Sequence, residues 1–327
     1  MTRGIIVIDG PDGTGKTTLA RDLVARTGAH YLHLTYRWPN KMFEYHTAAI
    51  HRAAKLAQTG LVIVDRWWMS ELCYANAYRG GSRWPLMYRM LDRIALKHGL
   101  IYVVSFSENI REHLNAYEAL KESRSEMYKD IAPVVVEYHK LWDKVKTWPH
   151  TIHYDYLKND RAGFIDRLLA KLESWREAQD PMILDAGNYN VTGHISSANY
   201  LLVGDRVNPR KIVRPWWPFH DYADSSLHLA KSLERLGFQE HEFIYTNYMT
   251  SSKETRHLMH TYDLKLVALG HEVFNKVIDG FGGSGKAWKI LKNPQQVVHP
   301  AFDRRFRRGA TMVSELGEIL HRLEAYS

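Results

Sequence analysis

Two textures recur along this chain: short unbroken apolar runs, and longer stretches in which apolar residues return every three or four positions. The first suits strands buried on both faces of a parallel sheet, and the second suits amphipathic helices. In the N-terminal part the apolar runs are Gly4–Ile8, Tyr31–Leu34, Leu61–Val64, Leu100–Val104 and Thr151–Tyr154. Helical periodicity predicts helices over Thr18–Val24, Met42–Gln58, Trp68–Tyr78, Pro85–Lys97, Ile131–Val145 and Arg161–Glu177, with a polar, charged stretch over Glu118–Lys129. From Ala178 to Ala198 the period fades and Asp, Gly, Asn, Ser and Pro gather, which marks a domain boundary. Beyond it the same alternation resumes. Strands are predicted at Tyr200–Val203, Phe243–Thr246, Leu264–Ala268 and Gln296–Val298, and helices at Ser225–Leu236, Lys253–His260, Glu272–Ile278 and Thr311–Ala325. The predicted fold class is α/β, with two αβα layered domains spanning residues 1–180 and 195–327.

The first apolar run opens directly onto Gly10-Pro11-Asp12-Gly13-Thr14-Gly15-Lys16-Thr17, which fits the phosphate-loop pattern G-x-x-x-x-G-K-[ST] without departure, and Thr18 begins a helix. Chemistry requires these residue types at this spacing. Glycines let backbone N–H groups curl around phosphate oxygens, the helix N-terminus adds partial positive charge, Lys16 reaches the β/γ-phosphates and the Thr17 hydroxyl ligates Mg²⁺. The loop therefore implies a nucleotide polyphosphate with Mg²⁺. In open α/β sheets ligands bind beyond the carboxyl ends of strands. Polar residues collect at those ends: Asp9 leads into the loop, Asp65-Arg66 follow the Leu61–Val64 run, and Gly204-Asp205, Asn247 and His299 follow later runs. Asp65 and Asp9 are candidates for a general base or for positioning Mg²⁺, with Asp65 preferred as base or positioner and Asp9 placed at the metal with Thr17. A second glycine-rich stretch, Gly280–Lys286, has Ala287 where the Mg²⁺ hydroxyl belongs and follows a helix, so it reads as a loop.

Composition narrows the classes. The 327 residues contain no apolar run approaching the ~18 needed for a membrane span, and the N-terminus has no secretory pattern, so a cytoplasmic location is expected. A single cysteine, Cys73, excludes an internal disulfide and a multi-cysteine zinc site. No His-Glu-x-x-His spacing appears among the 18 histidines. A net charge of +8 suits a polyanionic partner.

Asp65-Arg66-Trp67-Trp68-Met69-Ser70, with Tyr74-Ala75 downstream, together with Ile8 to Thr18, resembles the thymidylate kinase family, over roughly Gly4 to Trp175. The resemblance implies a P-loop kinase fold, ATP and Mg²⁺ held with Lys16 and Thr17, Arg66 on the transferred or acceptor phosphate, and Arg124 in a mobile lid that closes on the phosphates. Free-nucleotide members carry a Glu-Pro-Gly-Gly-like segment where this chain reads Tyr36-Arg37-Trp38-Pro39-Asn40-Lys41. The usual dTMP contacts of that segment therefore do not transfer.

Leu202–Pro209, Pro218-Phe219, Tyr245-Thr246-Asn247, Val267–Gly270 and Val298-His299-Pro300 stand in the order seen in the uracil-DNA glycosylase superfamily, over roughly Tyr200 to Ala325. That likeness implies Asp205 or Asn208 facing the sugar, Phe219 stacking on an extruded base, Asn247 reading its edge and His299 against the flipped nucleotide. Asp303–Arg308 sets Arg304, Arg305, Arg307 and Arg308 around Phe306, the composition of a phosphate clamp with a wedge. Together the resemblances are to phage enzymes of the 5-hydroxymethyluracil DNA kinase type, which implies phosphorylation of the 5-hydroxymethyl group in DNA as a step of thymidine hypermodification. Two alternatives stay open: a free deoxynucleoside monophosphate kinase, and a bifunctional protein whose C-terminal domain excises bases with Asp205 activating water.

Overall fold

The structure is a computed structural model and describes residues 2–35, 37, 39–83, 85, 90–121, 130–185, 191–204, 225–283, 294–297 and 310–325. Its contacts divide the chain into two α/β units, Met1–Leu91 with His98–Ala178, and Asp92–Lys97 with Gln179–Ser327.

The first unit is built on a parallel sheet of order β2-β3-β1-β4-β5, from β1 (Gly4–Asp9), β2 (His30–His33), β3 (Leu61–Asp65), β4 (Leu100–Ser105) and β5 (Thr151–Tyr154). β1 lies in the middle, paired Ile6↔Ile63 on one side and Ile6↔Ile101 on the other, and every one of its residues is buried. Alternation along the strands splits the core. Ile6, Ile8, Ile63, Ile101 and Val103 pack against Leu19 and Leu23 of α1 (Lys16–Thr27) and against Leu168 and Leu172 of α7 (Arg161–Glu177). At about 1.5–3 kcal/mol for each fully buried aliphatic side chain, that layer is a principal source of the sheet's stability. On the opposite face Trp68, which opens α3 (Trp68–Arg79), donates its indole N–H to the Tyr102 hydroxyl at 2.6 Å, and the Trp67 ring stacks 6.1 Å from Tyr102. Between β2 and β3 runs α2 (Pro39–Ala57).

Between β4 and β5 lie α5 (Ile110–Lys121) and α6 (Ala132–Val145). The first of these does not stand out in the hydrophobic pattern, because its buried positions one turn apart are His113 and Tyr117 rather than aliphatic residues. What starts it is Asn109, whose side-chain oxygen accepts from the Arg111 and Glu112 amides at 3.1 and 3.3 Å.

The second unit carries a sheet of order β10-β9-β7-β8-β6, with β7 (Tyr200–Gly204) central and β8 (Phe243–Asn247), β9 (Lys265–Leu269) and β10 (Gln295–Val297) all parallel to it. The edge strand β6 (Val191–Thr192) runs antiparallel to β8, so the sheet is mixed. That strand falls in the stretch the sequence assigns to the boundary, as do α8 (Pro181–Asp185) and a short 3-10 turn at Ile195–Ser197. Ile183, Val191 and Ile195 pack into the core without a helical or strand period, and polar side chains fix the backbone between them. Gln179 donates to the Gly193 carbonyl at 2.9 Å and accepts from the Ile195 amide at 3.0 Å, while Asp180 accepts from the Met182 amide and from the Tyr262 hydroxyl.

The helix α4 (Asp92–Lys97), flanked in sequence by the first unit, belongs to the second. Its Arg93 is fully buried, bonded through Nε and Nη2 to both Glu240 oxygens at 2.5 and 3.0 Å, with the guanidinium 3.9 Å above the Tyr245 ring. The remaining helices are α9 (Ser225–Arg235), α10 (Tyr248–Thr261), α11 (His271–Gly280) and α12 (Ala310–Ala325). None of the helices among the described residues is long and apolar enough to cross a membrane.

Candidate active site

Strand order switches beside β1: β2 and β3 are laid down on one side of it, whereas β4 and β5 are laid down on the other. A crevice at the carboxyl ends of such strands is where α/β sheets bind ligands, and Gly10–Gly15 fills that position. The loop is clamped from β4. The Ser105 hydroxyl donates to the Thr14 carbonyl at 2.9 Å, the Thr14 hydroxyl donates to the Pro11 carbonyl at 3.0 Å, and a Cβ on Gly10 would lie only 2.0 Å from the Ser105 carbonyl oxygen.

Gly15 then caps α1 in a left-handed conformation (φ 70°) that supplies no side chain, and the first turn of α1 holds no acidic residue. Its amides therefore keep their N–H groups for an anion, reinforced by the helix dipole. Lys16 lies almost fully buried with its ammonium against the Pro11 carbonyl and 3.5 Å from the Thr14 hydroxyl. Burial, followed by the positive charge of Arg66, pushes its pKa down to about 8 against the pull of Asp12, Asp65 and Asp9. An incoming polyphosphate would restore the charge that burial disfavours.

Asp65 ends β3 in register with His33 of β2. It is fully buried, and one oxygen, Oδ2, receives the Thr17 hydroxyl at 2.9 Å, the Tyr31 hydroxyl at 2.7 Å and His33 Nδ1 at 3.0 Å. The other oxygen, Oδ1, is buried with no hydrogen-bond partner among the described residues. A hydroxyl beside a carboxylate with an orphaned oxygen is a hard-oxygen donor set of the kind Mg²⁺ takes alongside phosphates. The residues present fit that ion.

The sequence puts Asp9 at the metal with Thr17; in the structure its oxygens are engaged by Ser70, Tyr138 and Trp67. Ile8 is the residue that pairs with Asp65 and faces α1, so Asp9, the next along, faces the other way. There its oxygens accept from the Ser70 hydroxyl, from the Tyr138 hydroxyl at 3.2 Å and from the Trp67 amide at 3.0 Å. Burial raises its carboxyl above the usual range despite the Ser70 and Trp67 bonds. Asp9 anchors α3 and α6 to the sheet while its charge still acts on Lys16 and Arg66.

Arg66 follows with a backbone φ of 71°, uncommon for any residue with a side chain, fixed by its amide bonding the Ile8 carbonyl at 2.9 Å. Its guanidinium pairs with Asp12 and lies 6.0 Å over the Tyr74 ring. Burial would raise the Asp12 carboxyl, but Arg66 and Lys16 outweigh it and hold it low. Two cations, Lys16 and Arg66, thus converge on one loop with Asp12 as counter-ion.

Asn247, expected to read a base edge, is buried at the end of β8 opposite Gly204. Arg124, Asp205, Asn208, Phe219, His299, Arg304, Arg305 and Arg307 lie outside the described residues. Gly280 of the second glycine-rich stretch ends α11, as its reading as a non-phosphate loop requires. Sequence reasoning did not single out Tyr31 or His33 as site residues. Their signal was present: positions two apart on a strand share a face.

No family model and no curated protein matches the chain. Its N-terminal half is similar to solved structures of nucleotide- and nucleoside-handling proteins. One is the YorR protein of Bacillus subtilis in complex with phosphorylated GDP, at 17% identity and a TM-score of 0.41, covering 54% of this chain and 99% of that one. Another is a deoxyadenosine kinase from M. mycoides with dCMP and dCDP bound, at 15% identity and a TM-score of 0.34, covering 52% and 98%. A thymidylate kinase from Candida albicans is similar at 15% identity and a TM-score of 0.33, covering 53% and 93%.

Proposed function

We propose that this protein is a kinase that transfers the terminal phosphoryl group of ATP to a nucleoside- or nucleotide-type acceptor. The observation that carries the reading is the 2.9 Å bond between Thr17 and the buried Asp65, set under an uncapped helix N-terminus and beside Lys16. In this arrangement the amides of the loop and of the first turn of α1, with Gly10, Pro11, Asp12, Gly13, Thr14, Gly15 and Thr18 shaping the cradle, bind the β- and γ-phosphates. Lys16 and Arg66 stabilise the charge that spreads over the transferring group. Thr17 and Asp65 hold Mg²⁺, which neutralises and orients the terminal phosphates when bound. Phosphoryl transfer passes through a loose transition state, so positioning and charge outweigh early removal of the acceptor proton. Asp65, whose Oδ2 is already bonded three ways, acts as positioner rather than base.

For the acceptor we propose the 5-hydroxymethyl group of 5-hydroxymethyluracil in DNA, with the second unit holding the DNA and the reaction taking place in the cytoplasm. Three features support this: the Tyr36–Lys41 segment in place of the free-nucleotide contacts, the net charge of +8, and the strand-end Asn247 of a second α/β unit. Labelled phosphate from ATP should enter 5-hydroxymethyluracil-containing DNA in preference to dTMP. Labelling of dTMP alone would replace this acceptor with a free mononucleotide, and absence of transfer to either would overturn the kinase reading.

A further inference from the structure

We infer that Tyr31 and His33, neighbours on one face of β2, are positioning residues that fix which oxygen of Asp65 is offered to the metal. This rests on the reading of Thr17 and Asp65 as the Mg²⁺ holders. β3 sets the Asp65 backbone, but rotation about its side-chain bonds would present either oxygen toward Thr17. The Tyr31 hydroxyl at 2.7 Å and His33 Nδ1 at 3.0 Å both bond Oδ2, and the two rings stack with centroids 6.2 Å apart and planes 27° from parallel. Each side chain is more than a third exposed, yet both converge on a carboxylate that is fully buried.

The consequence is a division of labour between two oxygens. Oδ2, taking three donors, has no lone pair left for a cation, and Oδ1, which has no partner among the described residues, is the one available. Thr17 meets the same requirement: its proton goes to Oδ2, so its lone pairs stay free for the metal. In metal sites generally, groups that hydrogen-bond a ligand fix its orientation, and their loss typically weakens metal binding about 10–100-fold.

The test is Mn²⁺ binding followed by the spin resonance of the free ion, in the presence of ADP, for wild type, for His33→Phe alone and together with Tyr31→Phe, and for His33→Asn, whose amide nitrogen reproduces the Nδ1–H donor. The double substitution should weaken Mn²⁺ binding about 10–100-fold, with metal-free ADP affinity unchanged and the melting temperature lowered, because a buried carboxylate loses two donors. His33→Asn should bind Mn²⁺ within about threefold of wild type, well below that range. Wild-type binding by the double variant would overturn the positioning role, as would a His33→Asn variant no better than His33→Phe alone. Failure of the wild type to bind Mn²⁺ with ADP would instead remove the metal reading beneath it.

Discussion

Replacing Asp65 with Asn separates the catalytic value of this carboxylate from its structural cost. The side chain keeps its size, and three donors at 2.7–3.0 Å still demand an acceptor at the Oδ2 position. The amide must therefore place its oxygen there and its NH₂ where Oδ1 stood, a donor facing the metal. Metal assistance to phosphoryl transfer is worth several kcal/mol, and a loss of about 3 kcal/mol corresponds to a rate lower by about two orders of magnitude. Stability should move the other way. The native carboxylate is a buried charge with one oxygen orphaned, a cost of about 1–3 kcal/mol or more for a charged group, whereas the amide leaves only a neutral donor unpaired. In metal-free buffer Asp65→Asn should melt at or up to a few degrees above the wild type, since about 1 kcal/mol moves a unit of this size by roughly 2–4 °C. Calorimetry without metal and ATP phosphate transfer with Mg²⁺, on the same preparation, read both quantities. Transfer within threefold of wild type, or a melt several degrees lower, would refute the reasoning.

Other substitutions test the surroundings. Gly10→Ala drives a methyl to within 2.0 Å of the Ser105 carbonyl, whereas Gly15→Ala meets nothing within 4 Å and pays only for its positive φ; denaturation should show losses of about 2–3 kcal/mol and about 1 kcal/mol respectively. Glu240→Gln leaves the Arg93 charge buried beside a neutral partner and should destabilise the second unit by about 3–5 kcal/mol, seen as an earlier unfolding transition. Burial, with the Lys16 charge adding to it, pushes the His113 pKa down to about 4, below its ordinary value of 6.5. The unfolded chain therefore binds a proton that the folded one refuses, so stability is full above pH 6.5 and falls toward pH 4, by about 3 kcal/mol in all from this residue. His113→Phe should flatten that part of a stability profile, and an unchanged slope would show that His113 titrates normally.

Much of this architecture was written in local pattern. β1, β3 and β4 are unbroken apolar runs, and the loop after β1 carries its own signature in glycines and one lysine. Illegible elements share a different physics. α8 and β6 depend on Gln179 bonding the distant Gly193 and Ile195 backbone and on Asp180 accepting from the distant His257 and Tyr262 side chains, and α4 belongs with the second unit through one arginine meeting Glu240. The same holds in the site. Asp9 and Asp65 look equivalent as strand-end carboxylates, and only the register Ile8↔Asp65 reveals that they face opposite sides of the sheet. Tyr31 and His33 become partners of Asp65 only once β2 pairs with β3.

The central claim is that ATP lies with its terminal phosphates on the turn between β1 and α1. A crystal structure with Mg²⁺ and a non-hydrolysable ATP analogue addresses it directly. The expected result has the β- and γ-phosphate oxygens within hydrogen-bond distance of the amides of residues 13–18 and of Lys16, and the metal on the Thr17 hydroxyl with Asp65 Oδ1 toward it. Phosphates bound elsewhere, or a metal held away from Thr17 and Asp65, would contradict it.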